Sequence, residues 1–136
     1  MKTLTRQNII RALKTEPLQR RAWFHASQCA DTSVLKECPV CAVGAVMRKC
    51  LNIMNSNKAI ELTQGVACYT SEIKADGITK TEYIQGLLEN KNYLGALSVL
   101  FESQSKAENS RVTANNRKEL IAFVKNNFPK TIRVAA

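Results

Sequence analysis

Hydrophobic and polar positions alternate along most of this chain with the period of an α-helix. In residues 39–54, Val43, Met47, Cys50 and Met54 recur at intervals of four, three and four, the spacing of one buried helix face. Pro39 suits the start of this helix, because the N–H that proline lacks is not needed in a first helical turn. The same period predicts further helices over residues 5–14, 79–89, 93–101 and 116–128.

Local start and stop signals bound these helices. Thr79 followed by Glu82 is a capping-box pattern, in which each side chain satisfies a backbone N–H at the helix start. Pro17 and Pro129 each follow a predicted helix, and proline pushes the preceding residue out of the helical region. Residues 56–66 are ambiguous, since they combine possible capping residues at the start with a glycine near the end.

Short strands complete the predicted fold. Extended or strand-like segments are expected over residues 20–25, 68–73 and 131–134. We therefore predict a mainly α (α+β) protein with four or five helices and a minor sheet of two to four short strands. At 136 residues, the chain is expected to form a single globular domain, residues 1–136.

Composition excludes several classes of protein. Hydrophobic residues make up 45% and charged residues 23%, which are ordinary globular values. No apolar run reaches the roughly 18 residues of a membrane span, and the basic amphipathic start has no signal-peptide core. We expect a cytoplasmic protein with no membrane partner and five cysteines that are reduced.

The positive charge is uneven along the chain. The net charge is +9, and residues 1–50 carry four Lys and five Arg against three acids. Residues 51–90 carry three Lys against five acids, whereas residues 91–136 carry five Lys and three Arg against three acids. A strongly basic surface favours encounters with nucleic acid or with acidic protein surfaces, so both are candidate partners.

The segment KECPVCAVGAVMRKC, residues 36–50, contains three of the five cysteines. A Cys-x-x-Cys turn resembles half of a zinc site, and His25, Cys29, Cys38 and Cys41 are the compact four-ligand set that could complete it. No second Cys-x-x-Cys is present in the sequence.

Two other interpretations of this segment remain open. Cys41 lies close to a predicted helix start, where a helix dipole lowers a thiol pKa, so a Cys41 thiolate with His25 as base defines a thiol-dependent enzyme. Alternatively, the small residues after Cys41 let a neighbouring element approach closely, and the segment is simply packed core. Packing is the interpretation we favour, with no metal or other cofactor.

A basic and aromatic stretch precedes this segment. In residues 20–25, arginine side chains can hold phosphate and an aromatic ring can stack on a base. Arg48 and Lys49 can extend such a patch, as can the cations near the C-terminus. The candidate binding residues are therefore Arg20, Arg21, Trp23, His25, Arg48 and Lys49; no catalytic residue is assigned.

A resemblance accompanies these features. The chain resembles small uncharacterised proteins of phages and of bacteria that carry mobile elements. The resemblance lies in Trp23, in the Cys-Ala-Val-Gly-Ala helix start at residues 41–45 and in the tail over residues 117–134. The resemblance implies a mobile-element origin and no known activity.

Together these observations predict a small basic binding protein without enzymatic activity. We expect stoichiometric contact with nucleic acid, or with a nucleic-acid-bearing host defence complex that the protein inhibits. The alternatives are the thiol-dependent enzyme using Cys41 with His25 and the zinc-stabilised interaction module.

Overall fold

The computed structural model describes residues 2–20, 39–104 and 112–134. Within these ranges the protein is mainly helical with one small sheet, which confirms the predicted fold class. In chain order the elements are β1 (Lys2–Thr5), α1 (Arg6–Thr15), α2 (Ala42–Val46), a π-helical segment (Met47–Leu51), α3 (Ser56–Leu62), α4 (Ser71–Ala75), α5 (Lys80–Glu89), α6 (Tyr93–Glu102), α7 (Ala114–Asn127) and β2 (Thr131–Val134).

The sheet joins the two ends of the described chain. Strands β1 and β2 pair antiparallel, with Lys2 opposite Val134 and Thr5 opposite Thr131. The strand predicted over residues 131–134 is confirmed, whereas β1 had no strand signal, because Leu4 is its one apolar residue. At the end of β1, the Thr5 side chain accepts a hydrogen bond from the Asn8 N–H at 3.1 Å and starts α1.

Predicted helix starts are confirmed where the capping signal is local. Helix α5 has the full capping box of Thr79 and Glu82, and helix α7 has one formed by Thr113 and Asn116. Because Thr113 provides the cap, α7 begins at Ala114, two residues before the predicted start. It ends at Asn127, just before the Phe128-Pro129 pair.

Two sequence predictions are wrong. The single helix over residues 39–54 is shorter, because Val40 is held extended by backbone hydrogen bonds with Pro17 and Gln19, and Asn52 ends the π segment with a left-handed φ of 55°. The predicted strand over residues 68–73 does not form: the Thr70 side chain accepts a hydrogen bond from the Ile73 N–H and caps the short helix α4.

Helix α2 lies in the main hydrophobic core. All five of its residues are buried, and it packs against both α1 and α6. Its alanines and glycine allow this close packing, so the prediction that the cysteine segment belongs to the core is confirmed for Cys41 to Met47. A second, smaller cluster of Ile84, Ala96 and Val99 joins α5 to α6.

Within the described ranges, no helix has both the length and the apolar character needed to cross a membrane.

Candidate binding surface

Arg20, a predicted anion-binding residue, is buried. Only 2% of its surface is exposed, and its guanidinium donates hydrogen bonds to the Phe101 carbonyl at 3.1 Å and to the Asn116 side-chain oxygen at 2.9 Å. Burial lowers its pKa, while the nearby Glu102 and Glu119 carboxylates act in the opposite direction. The expectation that the Arg20 guanidinium is free to hold phosphate is therefore corrected: it holds protein acceptors instead.

Arg48 and Lys49, which the sequence predicts as one basic pair, lie in different environments in the structure. Arg48 is 7% exposed and its Nε donates to the Glu16 carboxylate at 3.0 Å. Lys49 is exposed. Because the two residues are adjacent in a helical segment, their side chains point in different directions, one into the protein and one into solvent. Arg48 is thus part of the packing, and Lys49 remains a candidate for binding.

The other predicted site residues lie outside the described residues. These are Arg21, Trp23 and His25 of the binding set, and Cys29 and Cys38 of the zinc set. Their binding and ligating roles stay predictions. The described residues on either side of residues 21–38 are in contact. The Gln19 N–H donates to the Val40 carbonyl at 2.8 Å, and the Val40 N–H donates to the Pro17 carbonyl at 3.0 Å.

The Cys41 thiol is in an environment unlike that of a reactive cysteine. It is 1% exposed, and its Sγ accepts a hydrogen bond from the Gly44 N–H at 3.3 Å as the N-cap of α2. Burial raises the Cys41 pKa to about 12, an effect larger than the lowering by backbone N–H groups. The thiol is therefore neutral at physiological pH, which disfavours its use as a nucleophile. Among the described residues, no three His, Cys, Asp or Glu side chains are grouped so as to hold a metal.

Helices α1 and α7 lie antiparallel and in contact. Arg6, at the start of α1, donates to the carbonyl of Phe128 just after α7, at 3.1 Å. At the other end, Arg117 in the first turn of α7 donates to the carbonyl of Leu13 at 2.7 Å. Side-chain hydrogen bonds to carbonyls thus connect the helices at both ends, and the β1–β2 sheet adjoins the end at which α1 begins and α7 finishes.

This pairing brings the two basic ends of the chain together. Residues Lys2–Thr15 contain four cations and no acid, and residues 114–134 contain five cations and one acid, Glu119. Helix periodicity places Lys118 and Lys125 beside Arg117, on the flank of α7 nearer α1, and Glu119 on the opposite flank. We define the basic face by its exposed cations: Arg11, Lys14, Lys118, Lys125 and Lys130.

A small depression adjoins this face between α1 and the π segment. It has a volume of about 170 Å³ and is lined by Asn8, Arg11, Lys49 and Cys50. Burial raises the Cys50 pKa, and the neighbouring Lys49 and Arg11 charges lower it in part. Of the three predicted binding residues that the structure describes, Arg20, Arg48 and Lys49, only Lys49 lies on the surface.

Sequence reasoning identified some of this surface. The cations near the C-terminus, which the sequence predicts as an extension of the patch, include Lys125 and Lys130, whereas the sequence analysis predicts no binding role for Arg11 and Lys14. The available signal was the charge asymmetry of α1, where no acid occurs before Glu16. Comparisons of the chain with protein-family models, with curated proteins and with solved structures found no match.

Proposed function

We propose that this protein is a small basic binding protein that contacts nucleic acid stoichiometrically, either free or within a host complex. The observation that carries the proposal is the pairing of α1 with α7, which brings the two basic segments of the chain next to each other, with the exposed cations of the basic face on both. The more acidic segment, residues 51–90, forms the separate helices α3, α4 and α5.

The kind of cation on this face indicates which part of a nucleic acid it contacts. Four of its five members are lysines, and a lysine ammonium is a mobile point charge that meets phosphate without the fixed fork of arginine. Contacts to phosphate position a protein on a nucleic acid but carry no base sequence directly. We therefore propose binding through the backbone, with little dependence on sequence.

Binding of this kind has a defined salt dependence. Each neutralised phosphate releases condensed counterions, so log K falls linearly with log salt, by about 0.9 per contact for duplex DNA and about 0.7 for single strands. We expect the purified protein to bind RNA or DNA with such a slope. Affinity that is absent, or that does not change between about 50 and 200 mM salt, contradicts the proposal.

A matched pair of variants assigns binding to the basic face. The Lys118→Gln/Lys125→Gln variant removes two charges from α7, and the Lys74→Gln/Lys80→Gln control removes two from α4 and α5; all four side chains are exposed. The first variant is expected to reduce the magnitude of the salt slope for duplex DNA by about 1.8, and the control by much less. Equal effects of both variants mean that total charge, not the basic face, determines binding.

A further inference from the structure

A groove borders strand β2 and is lined by none of the residues that define the basic face. It has a volume of about 390 Å³ and runs between β2, helix α3 and the turn from α5 to α6. Three cations line it, Lys58, Lys91 and Arg133, together with one acid, Glu61. Its apolar walls are Leu62, Tyr93, Leu94, Ile132 and Val134.

The groove follows the free edge of β2. Residues of β2 line it and residues of β1 do not, so it lies on the edge of β2 that β1 leaves open. The Arg6 N–H donates to the Lys130 carbonyl at 2.9 Å, which makes this opposed pair a hydrogen-bonded one. Hydrogen-bonded and non-hydrogen-bonded residue pairs alternate along antiparallel strands. The backbone N–H and C=O groups of Ile132 and Val134 therefore point towards β1.

The same alternation leaves backbone groups of two β2 residues directed away from β1, and one of these residues, Arg133, lines the groove. The N–H and C=O groups of Thr131 and Arg133 point away from β1, and neither residue makes a backbone hydrogen bond to another described element. An open strand edge of this kind is a template for an added strand.

Two residues of the groove adopt a backbone conformation that normally favours glycine. Lys91 has a φ of 61° and Gln64 a φ of 55°, and both line the groove. For a residue other than glycine the left-handed region costs about 1 kcal/mol or more. The turn from α5 to α6 thus carries a lysine where glycine is the favoured residue, and the lysine places a positive charge at the groove.

From this geometry we propose that the groove binds an extended acidic segment of a protein partner, which adds to β2 as a third strand. The N–H and C=O groups of Arg133, which bond to no backbone group of the described residues, bind the backbone of the segment. Its acidic side chains meet Lys91 and Arg133, which make no ion pair with any described residue, while Lys58 already pairs with Glu61 at 2.8 Å. Apolar side chains of the segment contact the groove walls.

A protein segment fits these features better than a nucleic acid does. A strand edge offers alternating donors and acceptors that match an extended peptide, and five of the eleven residues that line the groove are apolar. The proposal goes beyond nucleic-acid binding by the basic face and uses none of the residues that define it, so each can fail without the other.

The test selects random ten-residue peptides against the whole protein by display. We expect the selected peptides to be rich in Asp and Glu and to lack proline in the bound core. In these peptides the acidic residues should alternate with β-branched or aromatic residues. A selected peptide is then N-methylated at one residue at a time. Strand addition predicts that methylation at every second residue weakens binding at least tenfold, because only those N–H groups bond to β2.

Variants locate the binding on the protein. The Lys91→Gly variant is expected to bind the selected peptide about threefold to fivefold more weakly, the upper part of the range for one exposed ion pair, while its stability is unchanged or higher. The Arg133→Thr variant keeps a strand-forming residue and should weaken binding to a similar extent. The Lys80→Gln control, whose side chain lies outside the groove, is expected to bind within twofold of the unmodified protein.

Hydrogen exchange of individual amides gives a second measurement. The Thr131 and Arg133 amides should exchange rapidly in the free protein and become protected when the peptide is added, whereas Ile132 and Val134 are protected in both states. Selection without acidic enrichment, no period of two in the N-methyl scan, or an unchanged affinity of the Lys91→Gly variant each overturns the proposal. Displacement of the peptide by a single-stranded oligonucleotide that itself requires Lys91 makes the groove a phosphate site and overturns it as well.

Discussion

Arg20 and Asn116 are 96 residues apart in the chain, yet the Arg20 guanidinium donates a 2.9 Å hydrogen bond to the Asn116 side-chain oxygen. The Gln104 side chain joins them, since its amide donates to the Asn116 carbonyl at 2.9 Å. Asn116 is also the partner of Thr113 in the capping box that starts α7. One buried arginine thus connects the residues that precede α2, the end of α6 and the start of α7.

This network predicts a large effect of Arg20 on stability. Replacing Arg20 by Ala removes the donor to the Phe101 carbonyl and one of the two donors to the Asn116 side-chain oxygen, the other being the Thr113 N–H, and we expect a loss of about 2–4 kcal/mol in the free energy of unfolding. Arg20→Lys should also destabilise, since an ammonium does not reproduce the planar fork. Urea unfolding measures both. The exposed Arg11→Ala control should stay within about 0.5 kcal/mol, and an equally small effect at Arg20 contradicts the assignment.

The Arg48–Glu16 ion pair predicts a strong coupling between two residues. The Arg48 side chain is 5% exposed and that of Glu16 is 15% exposed, so Glu16→Leu removes a carboxylate from a buried cation and should cost about 2–4 kcal/mol. The double variant Glu16→Leu/Arg48→Met should recover much of that loss. A double-mutant cycle by urea unfolding gives the coupling energy; strictly additive effects exclude a direct interaction.

Gly95 is predicted to tolerate no side chain. A Cβ atom there would lie 2.7 Å from the Cγ atom of Asn92, whose side chain accepts from the Gly95 N–H and donates to the Thr63 carbonyl, both at 3.0 Å. Gly95→Ala therefore displaces this buried amide and should lower the free energy of unfolding by about 2 kcal/mol. Gly86→Ala is the matched control in α5, where a Cβ meets nothing within 4 Å, and helix propensity predicts a gain of up to about 1 kcal/mol.

Cys41 predicts a loss of stability in alkaline solution. Its pKa is about 12 in the folded protein, whereas a thiol in the unfolded chain has a pKa near 8.5. Between about pH 9 and 12 the unfolded chain releases a proton that the folded protein keeps, so stability falls by about 1.4 kcal/mol per pH unit from this group alone. Below the unfolded pKa the contribution is constant.

The control for this prediction is Cys41→Ser, which keeps a capping atom but does not titrate in this range. Chemical unfolding at several alkaline pH values should show a shallower decline for the variant than for the unmodified protein. Identical declines place the Cys41 thiol in a more exposed environment than the one described. That result also removes the argument from burial against the thiol-dependent enzyme.

The sequence by itself determined those parts of the fold that depend on a few neighbouring residues. The capping box of Thr79 and Glu82 fixed the start of α5, and the Phe128-Pro129 pair fixed the end of α7, because each acts through groups within one helical turn. The apolar spacing likewise identified the main helices and the buried cysteine segment. Overall charge also follows from the sequence alone.

Only the tertiary structure decided where that charge lies. Lys49 and Arg48 are indistinguishable in a charge pattern, but the π segment buries one against Glu16 and exposes the other. Arg20 is buried because acceptors from α6 and α7 come from residues far along the chain, and no local pattern encodes their approach. The same reason applies to β1: four residues with one buried leucine become a strand only because β2 supplies the partner, and that pairing brings the two basic ends of the chain together.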